Sequence, residues 1–240
     1  MAPRCLADRH RTGAALRGAA TFGPYFAVLP GTDGDLLSPA DLHDPRRLGA
    51  LLRAVGRRIG SGEARVAAST LQYGLAARLW SVVLGAWSCG GVVVDVRRFS
   101  YVVTEVESVE LALAAPQAWY CASLCDDDVA ERIAEVVIAH QNEFHDALRS
   151  VAPIAEGLLW GNAASALASA ARTVMAADPG HRVGTVTAAL LARAPLAGRL
   201  VQGPDGGLRR LSCCLWYRTT DRDNCGDCPL IGRPVSRQPH

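Results

Sequence analysis

The chain has 240 residues, of which half are hydrophobic and one fifth are charged. A chain of this composition can bury a core, so we expect one large domain, with or without a small appendage. The net charge of +2 is too small to indicate a nucleic-acid-binding protein. Arg is present and Lys is absent, which excludes Schiff-base chemistry and a phosphate-binding loop lysine.

No stretch of the sequence predicts a membrane segment or a secretory signal. The Arg-containing start of the chain has no apolar h-region. The longest uncharged run, between Arg78 and Asp95, is too short to span a bilayer and contains Gly90-Gly91. We therefore predict a cytoplasmic protein without a transmembrane segment. Thiols stay reduced in that compartment, so the eight Cys need a role other than disulfides.

The first third of the chain predicts helices after an irregular start. Residues 1–37 are Gly-rich and weakly patterned, which predicts a loose leader and a short strand around Phe26–Leu29. Ser38-Pro39-Ala40-Asp41 has the pattern of a helix N-terminus. A second helix is expected from Pro45 to Gly60, and a third over roughly 64–88, because apolar residues recur at helical spacing in both.

The middle of the chain predicts a small β element followed by further helices. Val92–Val96, Val102–Val106 and the segment 109–113 have strand patterns. Three consecutive Asp residues at 126–128 predict a helix N-terminus, because carboxylates favour the positive end of the helix dipole. Additional helices are expected from Pro153 to about 178 and from Thr185 to Arg193.

The last segment differs in character from the rest. Arg199–Gln202 and Leu208–Tyr217, on either side of a Gly- and Pro-containing turn, predict a β-hairpin. From residue 197 onward there are seven Arg and four acidic residues, so the positive excess of the chain lies here. The fold class expected is mainly α (α+β), with a small antiparallel β element. The expected organisation is a leader (1–37), a helical body (38–197) and a C-terminal segment (198–240) that contains a hairpin or loop.

Four of the eight cysteines lie in one stretch of sixteen residues inside this segment: Cys213, Cys214, Cys225 and Cys228. Four clustered thiols in a reducing compartment most simply indicate a tetrathiolate metal site. The Cys225-x-x-Cys228 pair places two sulfurs on one side of a tight turn. Adjacent cysteines on an extended strand point apart, which suits a two-iron cluster better than one tetrahedral ion. Spacing alone leaves an iron–sulfur cluster and zinc both open, with disulfides third.

The cysteine pattern resembles that of the FhuF-type siderophore-iron reductase family. The residues that carry this resemblance are Cys213, Cys214, Cys225, Gly226, Asp227, Cys228, Pro229 and Leu230, together with Leu215, Tyr217 and Arg218. Two interior segments, residues 74–81 and 159–166, are also similar to members of that family. The resemblance spans roughly residues 65–230.

The resemblance implies that the C-terminal segment (198–240) binds a [2Fe–2S] cluster on the four cysteines in its hairpin or loop, and that the helical body (38–197) binds a siderophore. It also implies one-electron reduction of ferric siderophores to release iron. The expected partners are a ferric siderophore and a separate electron donor, a ferredoxin or a flavoprotein, because the chain has no dinucleotide-binding fingerprint. We expect no nucleic-acid partner. Two alternatives are an iron–sulfur electron carrier or sensor without a siderophore site, and a zinc-stapled interaction domain.

The remaining polar residues favour structural roles. The Arg residues near the cysteines are expected to form a solvated surface more often than a docking patch: Arg209, Arg210, Arg218 and Arg222. Inert buried thiols are expected at the other cysteines: Cys5, Cys89, Cys121 and Cys125. His140 is expected to be packed in the core, and Trp160-Gly161-Asn162 to mark close helix packing.

Overall fold

Helices make up most of the computed structural model, which describes residues 5–31, 36–106, 108–203, 206–221 and 223–230. The α-helices in these ranges are α1 (Arg9–Ala20), α2 (Pro39–His43), α3 (Pro45–Arg58), α4 (Ala64–Gly90), α5 (Asp126–Val151), α6 (Glu156–Ala177) and α7 (Val183–Leu191). The predicted mainly α class with small sheets is confirmed. The longest helix, α4, lies at the centre and contacts α1, α3, α5 and α6.

The predicted helix starts are built from local hydrogen bonds. At α2, the Ser38 hydroxyl accepts a bond from the Asp41 amide at 3.1 Å, and the Asp41 carboxylate accepts one from the Ser38 amide at 3.0 Å. These two bonds form a reciprocal capping box. At α3, the Asp44 carboxylate accepts bonds from the amides of Arg46 and Arg47. Both caps satisfy amides that the helix itself leaves unpaired.

The core is formed where α4 crosses α6. Trp80 on α4 and Trp160 on α6 are both buried, and α4 is apolar on nearly all of its faces. A helix buried on all sides loses the one-sided pattern of a surface helix. Within the described residues, no helix has both the length and the apolar composition to cross a membrane.

Three small sheets lie around the helices. The strands are β1 (Leu29–Pro30), β2 (Val92–Val94), β3 (Ser100–Val103), β4 (Val109–Leu113), β5 (Ala118–Tyr120), β6 (Leu200–Gln202) and β7 (Leu208–Arg210). β2 pairs with β5, β3 with β4, and β6 with β7, all antiparallel. β1 pairs with β4 in parallel, so the predicted antiparallel character does not hold for this two-residue strand. The strand expected at Phe26–Leu29 is also shifted, because Pro24–Phe26 form a 3-10 turn.

The prediction of a loose leader is wrong for Arg9–Ala20, which form α1. This helix packs on α4 through small residues: Ala15 lies against Gly90 and Ala19 against Gly85, so closely that a Cβ at either glycine would clash. The buried side chains of α1 are Thr12, Ala15 and Ala19. Because none of them is a large apolar residue, the sequence shows almost no hydrophobic periodicity there.

Two buried histidines on α5 predict acid sensitivity of the fold. Burial and the neighbouring His43 lower the pKa of His140 to about 4, and burial and Arg149 lower the pKa of His145 to about 3. An unfolded histidine titrates near pH 6.5, so the unfolded chain binds more protons below that pH. Stability is therefore fully present above about pH 6.5 and is lost as pH falls, by up to ~1.4 kcal/mol per pH unit for each histidine.

Urea unfolding followed by circular dichroism between about pH 7 and pH 5 measures this slope. His145→Asn is expected to reduce this slope to the part contributed by His140, whereas His10→Asn, a change at an exposed position on α1, leaves it as in the wild type. A wild-type free energy of unfolding that stays constant across this range would contradict the expectation.

Candidate metal centre

The four predicted ligand cysteines lie on two short irregular segments that follow β7. The predicted strand Leu208–Tyr217 ends early, at Arg210, so Cys213 and Cys214 are not on an extended strand. The chain turns at Leu215, which has a left-handed φ of 67°, and continues into a 3-10 turn at Trp216–Arg218. Cys213 and Cys214 therefore do not have the extended backbone on which adjacent side chains are expected to point apart.

Three of the four thiols contact one another through Cys214, whereas the Cys228 thiol donates to Asn224 Oδ1 at 3.4 Å. Cys214 Sγ and Cys225 Sγ are 3.3 Å apart. Hydrogen bonding with Cys213 and then with Cys225 lowers the pKa of Cys214, and the same contacts raise the pKa of its two neighbours. Across the described ranges, no three His, Cys, Asp or Glu side chains are grouped closely enough to hold a metal ion as they stand.

Each of the four sulfurs has an N–H donor beside it. The Leu215 amide donates to Cys213 Sγ at 3.3 Å, and the Leu230 amide donates to Cys228 Sγ at 3.4 Å. The Trp216 amide lies beside Cys214 and lowers the pKa of its thiol, and Arg210 Nη2 donates to Cys225 Sγ at 2.9 Å. Thiolate ligands of iron–sulfur clusters accept such bonds, which help to set the cluster potential. The four cysteines therefore fit an iron–sulfur cluster, both in their ligand atoms and in the N–H groups that lie beside those atoms.

Arg210 is the central residue of this region, and the expectation that it is solvated is wrong. Its side chain is only 2% exposed and forms an ion pair with Asp227 at 2.6 Å. It also donates to Asn162 Oδ1 at 2.7 Å. Burial opposes its charge, but the thiolate character of Cys214 and the Asp227 carboxylate raise the pKa of Arg210. One guanidinium thus joins the Cys225 loop to helix α6.

The helical body holds the cysteine loop through α4 and α6. The Ser69 hydroxyl on α4 donates to the Cys214 carbonyl at 2.7 Å, and Asn162 Nδ2 on α6 donates to Ser69 Oγ at 3.0 Å. Gly161 lies so close to Ser212 that a methyl group there would overlap the Ser212 hydroxyl. Trp160-Gly161-Asn162, which was expected to mark close helix packing, therefore packs against the cysteine loop. The contacts of Gly161 and Asn162 show this role.

The other predicted positions have different surroundings. Arg218 pairs with Glu63 at 3.1 Å and is half-buried, whereas Arg222 lies outside the described residues. Cys121 is buried as expected, but Cys5, Cys89 and Cys125 are exposed, so the expectation of buried thiols is wrong for these three. His140 is packed in the core, where its Nε2 contacts the Tyr101 hydroxyl.

A cavity of about 770 Å³ adjoins the cysteine loop. It lies between the helical body and the C-terminal hairpin, and Cys214 and Cys225 form part of its wall. Three aromatic side chains, those of Tyr25, Tyr73 and Trp216, also line it. Sites for small molecules typically have volumes of ~300–1,000 Å³, so this cavity has the size of a ligand site.

Comparison with known families gives a match in this region. Residues 210–230 match the family model described as the FhuF 2Fe-2S C-terminal domain. The match contains all four predicted ligand cysteines and confirms the resemblance to the FhuF-type family that the cysteine spacing predicted. It covers the cysteine loop and leaves the helical body outside. No curated protein sequence matches the chain.

Proposed function

We propose that this chain, whose residues 210–230 match the FhuF 2Fe-2S C-terminal domain model, is a ferric-siderophore reductase. In this proposal Cys213, Cys214, Cys225 and Cys228 hold a [2Fe–2S] cluster. The proposal depends on one observation. Cys214 and Cys225, two of the four proposed ligands, line a cavity that has the size of a ligand site. A ligand in the cavity would lie directly beside the cysteine loop.

The roles of the chain are to hold the thiolates and to bind the chelate. When bound, a [2Fe–2S] cluster supplies one electron at a time. Ser69, Asn162 and Arg210 fix the loop, so that Cys214 and Cys225 stay in the cavity wall. Arg210 also places a positive charge and an N–H donor beside Cys225. Both features favour the reduced, more negative state of such a site.

The substrate step follows from the chemistry of chelated iron. Fe(III) in the cavity would take one electron from the group held by the four cysteines and become Fe(II). A separate ferredoxin or flavoprotein would then return one electron to that group. Hard oxygen ligands hold Fe(II) less tightly because its charge is lower, so iron leaves the chelate. No covalent bond to the protein is formed or broken. The proposed role of this chain is therefore positioning and electrostatics rather than acid–base catalysis.

The function is tested by anaerobic photoreduction of the purified protein, followed by addition of ferric hydroxamate, catecholate or citrate chelates. We expect reoxidation in the visible spectrum and one Fe(II), trapped by a ferrous chelator, for each electron lost. The matching Ga(III) chelates cannot be reduced in this way and are expected to leave the spectrum unchanged. If all three ferric chelates leave the reduced spectrum unchanged, the electron carrier or sensor should replace this proposal.

A further inference from the structure

Among the residues that the structure describes, the charged side chains lining the cavity beside the cysteine loop are mostly of one sign. Four of them are arginines, at Arg58, Arg78, Arg172 and Arg210, and one is acidic, Asp227. A cleft lined by one sign of charge and walled by protein concentrates ligands of the opposite sign. The net charge of the whole chain, +2, gives no hint of this local excess.

Two of these arginines are already neutralised by carboxylates. Arg210 pairs with Asp227 at 2.6 Å, and Arg78 pairs with Glu110 at 3.1 Å. Arg58, at the end of α3, and Arg172, on α6, are exposed at the cavity and have no acidic partner among the described residues. Within the described part of the cavity wall, the uncompensated positive charge therefore resides on Arg58 and Arg172.

Two of the three aromatic residues of the cavity lie beside the two paired arginines. The Arg78 guanidinium lies 5.0 Å from the ring centroid of Tyr25, and the Arg210 guanidinium lies 5.5 Å from that of Tyr73. Guanidinium groups and aromatic rings both offer flat faces to planar ligand groups. Charge and ring stacking could therefore both contribute to binding here, and a test has to separate them.

We propose that this cavity selects ferric chelates of net negative charge over neutral ones, and that Arg58 and Arg172 provide the selection. The inference rests on the proposed function and adds the class of substrate. Fe(III) bound by three catecholate dianions is a trianion, whereas Fe(III) bound by three hydroxamate monoanions is neutral. Only the trianion gains from the two unpaired guanidinium groups.

The expected size of the effect follows from screened Coulomb attraction. At a separation of ~8 Å in water of moderate ionic strength, each unpaired arginine favours a trianion by several-fold in affinity. Together the two arginines are expected to contribute roughly tenfold, and the contribution should shrink at high salt because exposed charges are screened.

The test uses calorimetric titration of the cluster-containing protein with redox-inert Ga(III) chelates: tris-catecholate, tris-hydroxamate and citrate. We expect the wild-type protein to bind the anionic chelates more tightly than the neutral one. In Arg58→Gln/Arg172→Gln, the affinity for the tris-catecholate should fall about tenfold, and the affinity for the neutral chelate should change by less than about twofold. The matched control, Arg46→Gln/Arg53→Gln, removes two exposed charges from α3 outside this cavity and should bind as the wild type does.

The outcomes separate this inference from the proposed function. Equal affinity for anionic and neutral chelates, or equal weakening in both double variants, would overturn the charge selection. Tight binding of the catecholate with weak binding of the anionic citrate chelate would assign recognition to the rings instead. If Fe(II) still forms from the ferric chelates in these cases, the proposed function stands. If no chelate binds and none is reduced, the proposed function itself fails.

Discussion

The Cys214→Ser protein is expected to be purified without the visible absorption of an iron–sulfur cluster and with little bound iron or sulfide. The same result is expected for Ser at Cys213, Cys225 and Cys228, because a cluster that lacks one thiolate is exposed and labile. The wild-type protein should contain about two iron and two sulfide per chain. Iron and acid-labile sulfide analysis, with the absorption spectrum, measures the loss.

Cys125→Ser and Cys121→Ala are the matched controls for this prediction. Cys125 is exposed at the N-cap of α5, and Cys121 is buried, with its amide bonded to the Gly91 carbonyl. Both variants are expected to retain the full cluster content. A colourless Cys125→Ser protein would show that the ligand set is wrong. Wild-type protein with about one zinc and no sulfide would support the zinc-stapled domain instead.

Replacing Arg210 by Met is expected to destabilise the protein by about 3–5 kcal/mol, because it removes one partner of a buried ion pair. Asp227, whose side chain is 18% exposed, would lose its partner, and Asn162 Oδ1 and Cys225 Sγ would each lose a donor. Urea unfolding measures the loss of stability. Any cluster that remains should have a lower reduction potential, because a positive charge and a hydrogen bond to sulfur are gone.

Arg218→Gln is the control for this change, since Arg218 lies on the same segment and also forms an ion pair. Its pair with Glu63 is 31–40% exposed, so we expect a cost below ~1 kcal/mol. Arg210→Lys should restore little of the lost stability, because a single ammonium group lacks the planar, forked donors with which the guanidinium contacts Asp227, Asn162 and Cys225 at once. A Met variant as stable as the wild type would contradict the central role assigned to Arg210.

Helix positions were predictable from sequence where the determining interactions are local. The Ser38–Asp41 capping box and the Asp126–Asp128 helix start depend on residues within one turn of each other. The helix α1 was not predictable, because it packs through alanine and glycine contacts with α4, and small residues leave no hydrophobic periodicity. Its position depends on a surface that is remote in sequence.

The same distinction applies to the candidate site. The four cysteines could be identified as candidates without a structure, because they lie within sixteen residues and their spacing matches a family pattern. The burial of Arg210 could not be predicted in this way, since its partner Asn162 lies 48 residues away on α6. The cavity and its charge likewise depend on Arg58 and Arg172, which the packing of separate helices brings together. Long-range packing, unlike caps and spacings, leaves no local pattern in a single sequence.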